Sequence, residues 1–159
     1  MKPAFTIRIA TGADALRIGR MSRDLIERGL PWSWTPSRVR HSIADAETNV
    51  VVASVRGAVV GFAIMKYHDD EAHLLLLAVQ QASKRQGIGA ALVAWLEACA
   101  RTAGVGQAYL EARAVNGGAR AFYRRLGYEE IQVVPGYYQG REASVRMAKD
   151  LWIEQAASA

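Results

Sequence analysis

Hydrophobic and polar positions change period several times along the chain, and each change marks an element. FTIRIA (5–10) alternates and predicts a short strand, after which Ala15, Ile18, Met21, Leu25 and Ile26 recur at helical spacing within TGADALRIGRMSRDLIERG (11–29). LPWSWTPS is a loop with two tryptophans, followed by a helical PSRVRHSIADA (36–46). NVVVASV (49–55) and AVVGFAIMKY (58–67) are β-branched runs separated by Arg56-Gly57, a hairpin signal. EAHLLLLAV (71–79) predicts a further strand after the polar turn His68-Asp69-Asp70.

From Gly87 the period becomes helical, with Ile88, Leu92, Trp95, Leu96 and Cys99 marking a helix to about Thr102 that Gly104 and Gly106 stop. QAYLEARA (107–114) predicts a strand and GGARAFYRRLG (117–127) a helix ended by Gly127. YEEIQVVPGYY (128–138) and REASVRMAKDL (141–151) predict a closing antiparallel pair. The order β-α-α-β-β-β-α-β-α-β-β implies an α/β (α+β) fold, a mixed sheet with helices on both faces. No repeat or linker interrupts the 159 residues, so one domain over 1–159 is expected.

Composition adds modest constraints. At 51% hydrophobic and 22% charged residues, without a long unbroken apolar run, the chain reads as a globular protein without a membrane span. MKPAFTIRIA lacks the marks of a secretory signal, which makes the cytoplasm the expected compartment. Cys99, the only cysteine, permits no internal disulfide and is expected in the core. The net charge of +5 favours an anionic partner. The scattered arginines lack the clustered stripe of a nucleic-acid surface, so no nucleic acid is expected. His68 and His73, near Asp69, Asp70 and Glu71, fit a polar hairpin tip better than a metal site, and no metal is expected.

The chemically informative stretch is SKRQGIGAAL (83–92), where a strand passes through Gly87-Ile88-Gly89 into a helix. Free amides and the positive helix end then coincide beside Lys84 and Arg85, a place suited to phosphate. A Walker loop requires Lys-Ser/Thr where Ala90-Ala91 stand, and a dinucleotide fingerprint requires a small residue where Leu92 stands. Lys84-Arg85-Gln86-Gly87-Ile88-Gly89 instead resembles the R/Q-x-x-G-x-G/A pyrophosphate loop of the GNAT acyltransferases, with Lys84 in place of Arg or Gln. LEARAVNGGARAFYRRLGY (110–128) resembles the L-E-x-R-x-x-N-x-x-A-x-x-x-Y-x-x-L-G-F/Y stretch of that family, most closely in the ribosomal-protein-alanine and other protein N-terminal acetyltransferases. The element order agrees with the GNAT fold and its seven-stranded, mostly antiparallel sheet.

That resemblance implies acetyl-CoA as cosubstrate, direct transfer to an amine, and no metal. Leu77, Ala78 and Val79 would pair with the pantetheine arm, Lys84, Arg85, Gln86, Gly87, Ile88, Gly89 and Ala90 would hold the pyrophosphate, and Asn116 and Ala119 would line the pantetheine. It implies Glu111 as base and Tyr123, near the thioester sulfur, as acid. The carboxylate can take the amine's proton, and a neutral tyrosine can donate to the leaving thiolate. LPWSW resembles one wall of the family's acceptor groove and PGYYQGREASVRMAKDL the other, which assigns Trp32, Tyr137 and Tyr138 to the acceptor. In that second stretch Glu142-Ala143-Ser144 departs from the family's E-D-A. A protein N-terminal amine is the favoured acceptor, against a small amine such as a polyamine, aminoglycoside or amino acid, or a non-catalytic acyl-CoA-binding module. The chain is expected to act as a monomer or homodimer.

Overall fold

The computed structural model describes residues 4–138 and 142–152, with backbone alone at Tyr137, Tyr138 and Glu142. Its elements are β1 (Thr6–Ile9), α1 (Ala15–Met21), α2 (Pro36–Ala44), β2 (Thr48–Val55), β3 (Ala58–His68), β4 (Glu71–Val79), α3 (Ile88–Thr102), β5 (Gln107–Arg113), α4 (Gly117–Arg125), β6 (Glu129–Tyr138) and β7 (Glu142–Asp150). The order is the expected one. Hydrogen bonding gives a seven-stranded mixed sheet in the sequence β1-β2-β3-β4-β5-β7-β6. Two compact units divide the chain, residues 1–66 with 75–98, and residues 67–74 with 99–159, so that β4 contributes to both.

In the first unit β1, β2 and β3 form an antiparallel meander. The β2–β3 turn uses Arg56 (φ 52°) and Gly57 (φ 83°), two successive positive-φ residues as a type I′ hairpin turn demands. Alternation then sends Val50, Val52, Phe62, Ile64, Leu76 and Ala78 into one core with Ile18, Met21, Trp34 and Val39. Thr35 caps α2 through its hydroxyl, which accepts from the Arg38 amide at 3.3 Å, and Pro36 occupies the first helical position.

The first predicted helix is not continuous. A 3-10 turn at Gly12–Asp14 precedes α1, and a π-helical turn at Ser22–Ile26 follows it. The extra residue rotates the apolar stripe, leaving Leu25 41% exposed where helical spacing had placed it inward. On α3 the buried stripe is Ile88, Leu92, Val93, Leu96 and Ala100. Trp95 and Cys99, expected on that face, flank it and are half-buried.

In the second unit β4 pairs parallel with β5 from Glu71↔Gln107 to His73↔Tyr109, and β7 lies antiparallel between β5 and β6. Asn116 accepts from the Ala119 amide at 3.0 Å and caps α4, and Gly127 (φ 98°) follows the helix end. Gly104 (φ 84°) closes α3, whereas Gly106 has another purpose, since a Cβ there would overlap the Trp152 indole. The chain after Asp150 turns helical at Leu151–Trp152, and the Leu151 amide donates to the Gly106 carbonyl at 2.8 Å.

Gly19 marks the closest approach of α1 to α2, because an added Cβ would lie 2.9 Å from the Pro36 nitrogen, whereas at Gly12 it would meet nothing within 4 Å. Gly19→Ala is expected to lower unfolding free energy by roughly 1–3 kcal/mol through overpacking. Urea titration should show that loss, with Gly12→Ala close to the unaltered chain.

Candidate active site

The first unit holds the strand-to-helix loop. After Val79 the Gln80 amide donates to the Val60 carbonyl at 2.8 Å, while Gln80 Nε2 donates to Ser83 Oγ at 3.3 Å. Arg17, reaching from α1, donates to Gln80 Oε1 at 3.0 Å and to the Val59 carbonyl at 3.2 Å. These bonds fix where β4 stops. Leu77 and Val79 are half-buried and Ala78 is buried, whereas Lys84, Arg85, Gln86 and Gly87 are exposed. Arg85 (φ 67°) and Gly87 (φ 81°) both take left-handed backbone, which turns the chain sharply into α3.

The Ala91 amide donates to the Gly87 carbonyl at 3.0 Å and begins the helical ladder, so the amides of Ile88, Gly89 and Ala90 lack helical partners. A Cβ on Gly87 would meet nothing within 4 Å. The requirement for glycine there is therefore conformational on the protein's side, and the space beside it is open to an anion.

The second unit holds Glu111, Asn116, Ala119 and Tyr123. Glu111 Oε1 lies 2.7 Å from His73 Nε2, and Oε2 accepts from Arg146 Nε at 3.1 Å. Its side chain is only 6% exposed. Burial pushes its carboxyl up, but the His73 bond and the charges of His73 and Arg146 outweigh that and hold it below the usual glutamate range. The His73 ring stacks on Tyr109 at 4.2 Å, and the Arg146 guanidinium lies 4.9 Å from the centre of the same ring. Burial first, and then the Glu111 charge, raise the Tyr109 hydroxyl, keeping it neutral.

His73 is thus a partner of Glu111 rather than an ornament of a hairpin tip, which corrects the sequence expectation. Asn116 is exposed with its side-chain oxygen committed to the α4 cap, and Ala119 and Tyr123 are half-buried one turn apart. The Tyr123 ring stands edge-on to Phe122 at 5.1 Å and to Tyr128 at 5.9 Å. Trp32, in the first unit, is 37% exposed. The Tyr137 and Tyr138 side chains lie outside the described residues. His73 and Arg146 were missed because only the strand register, with Tyr109 opposite His73 and Glu111 opposite Arg146, brings them to the carboxylate.

The fold is that of an acyltransferase, and residues 20–128 match the Acetyltransferase (GNAT) family. The chain belongs to that family. It is 39% identical over 95 residues to the [Ribosomal protein bS18]-alanine N-acetyltransferase of Escherichia coli, covering 58% of this chain and 64% of that protein. It is 28% identical over 160 residues to the N-alpha-acetyltransferase of Sulfurisphaera tokodaii, covering 92% and 93% of the two chains. The crystal structure of the ribosomal-protein-S18-alanine N-acetyltransferase from Escherichia coli superposes with a TM-score of 0.79 at 29% identity, covering 92% of this chain and 94% of that one.

Because Glu111 titrates lower folded than unfolded, its contribution to stability is complete above the ordinary glutamate range, near 4.5, and is lost as pH falls through it toward the folded value. Arg146→Met should move the Glu111 midpoint upward in a carbon-13 titration of its carboxyl, since one charge partner is gone while burial remains. An unmoved midpoint would show that His73 alone sets it.

Proposed function

We propose that residues 1–159 carry out one reaction, transfer of the acetyl group of acetyl-CoA to an amine, with a protein N-terminal α-amine as favoured acceptor. The observation that carries this reading is the Glu111–His73 bond of 2.7 Å in a chain of the GNAT family. The names of the relatives support the acceptor class.

On this reading the Lys84–Ala90 loop takes the pyrophosphate on the amides of Ile88, Gly89 and Ala90, with Lys84, Arg85 and Gln86 alongside. The backbone of Leu77, Ala78 and Val79 pairs with the pantetheine arm as an added strand, and Asn116 and Ala119 line it. The amine nitrogen attacks the thioester carbonyl, the carbon–sulfur bond breaks, and the CoA thiolate takes a proton or hydrogen bond from Tyr123. The amine's proton passes to the Glu111–His73 pair. An α-amine with a pKa near 8 is largely protonated at neutral pH, so an acceptor for that proton is required. Glu111 is a weak base when held by two partners, and the proton is shared across its bond to the His73 ring, which accepts it only when that imidazole is neutral. Positioning of amine against thioester contributes most of the acceleration.

Among the described residues no helix is long and apolar enough to cross a membrane. The cytoplasm is the compartment this reading assigns, where a single free cysteine persists as a thiol.

Thiol release from acetyl-CoA, screened with peptides beginning Ala, Ser or Met beside polyamines, aminoglycosides and amino acids, tests the acceptor. Release with the peptides is expected. Release with small amines alone would move the assignment to a small-molecule acetyltransferase, and acetyl-CoA binding without release would make the chain a binding module. Glu111→Gln and Tyr123→Phe should each lower kcat about 10²-fold or more while leaving acetyl-CoA affinity nearly unchanged. Gly87→Val should abolish acetyl-CoA binding in calorimetry, because valine resists φ near +81°.

A further inference from the structure

Glu27 lies outside every motif the sequence brought forward, yet it is one of the most heavily bonded side chains in the first unit. The residue is buried at 7% exposure, and its carboxylate accepts from four donors. Oε1 accepts from the Ser33 amide at 2.7 Å and the Ser33 hydroxyl at 2.6 Å. Oε2 accepts from the Ser22 hydroxyl at 2.9 Å and the Trp34 amide at 3.1 Å. A buried carboxylate so supplied ties down whatever carries its donors. Here the donors are Ser22, which opens the π-helical turn, and Ser33 and Trp34, the last two residues of LPWSW.

The π-helical turn delivers Glu27 to this place, since the Glu27 amide donates to the Ser22 carbonyl at 2.8 Å, five residues back. The side chains of the two tryptophans have contacts of their own. Trp34 is buried with the Arg38 guanidinium 3.8 Å above its ring, and Trp32 donates its indole N–H to the Gly19 carbonyl at 3.0 Å. Trp32 nevertheless stays partly exposed, with the Arg23 guanidinium over its ring at 5.3 Å from the centre. An indole pinned at its nitrogen and still partly exposed binds at low entropic cost.

We propose that Glu27 is a positioning residue for the amine acceptor, anchoring Ser33 and Trp34 so that Trp32 presents a fixed apolar surface to the acceptor's first residues. The proposal rests on the functional reading above in one respect, that LPWSW meets the acceptor. Glu27 acts through the loop and touches no reacting atom.

The test compares Glu27→Gln, Ser33→Ala and Trp32→Ala, assayed with whichever amine the unaltered chain acetylates. Glu27→Gln should raise KM for the amine about tenfold and Ser33→Ala by less, with KM for acetyl-CoA unchanged and kcat little altered. Combined with Trp32→Ala, Glu27→Gln should add less than about twofold, because both changes remove one interaction. Multiplying effects, or equal rises in both KM values, would overturn the proposal. Iodide quenching of tryptophan fluorescence, taken as the difference between each protein and its Trp32→Phe counterpart, should show Trp32 more accessible in Glu27→Gln. Unchanged quenching overturns the anchoring. Failure of the functional reading is seen separately, as no thiol release by the unaltered chain with any amine. That result removes the acceptor role, while quenching still decides whether Glu27 holds the loop.

Discussion

A carboxylate taken out of water must be surrounded by donors, and at Glu111 that requirement and the strand register depend on each other. The pairing of Glu111 with Arg146 and of Tyr109 with His73 places a cation, a carboxylate and an imidazole on one side of the second unit's strands. A slip of one residue would turn Glu111 to the side where Leu110 and Met147 now pack. The carboxylate would then be buried among apolar side chains without a partner. The alternation of β5, buried at Ala108, Leu110 and Ala112, holds that arrangement from the other side.

Much of this architecture was legible because hydrophobic period is a local property. All seven strands and four helices were visible in it, as was the Arg56-Gly57 hairpin, where turn chemistry agrees with the apolar pattern. What escaped notice depends on partners far along the chain. Arg146 and His73 are 35 and 38 residues from Glu111, and no spacing rule connects them. The π-helical turn was hidden because Leu25 and Ile26 fit a regular helix equally well, and the bonds from Ser22, Ser33 and Trp34 that favour the wider turn join two elements. Trp95 and Cys99 were placed on the buried face by period alone, whereas the stripe that packs runs one position to the side through Val93 and Ala100.

The loop in the first unit and the Glu111 cluster in the second are built in contrasting ways. At the start of α3 the groups offered to an anion are backbone amides, positioned by the left-handed conformations of Arg85 and Gly87. Side-chain identity at Lys84 therefore matters less to geometry than to charge. Around Glu111 the reverse holds, since the bonds to the carboxylate from His73 and Arg146 come from side chains, and even the near-isosteric Gln removes the charge they hold.

β4 also restricts how the chain can change length. Its burial alternates without interruption, so His73, Leu75, Leu77 and Val79 share one face and Ala72, Leu74, Leu76 and Ala78 the other. The imidazole that meets Glu111 and the backbone positions assigned to the pantetheine arm are thus a fixed number of peptide units apart on one strand. Inserting or deleting a single residue between them would invert one end relative to the other. Only paired insertions or deletions would preserve the facing of both, so tolerated length variation within this strand comes in steps of two.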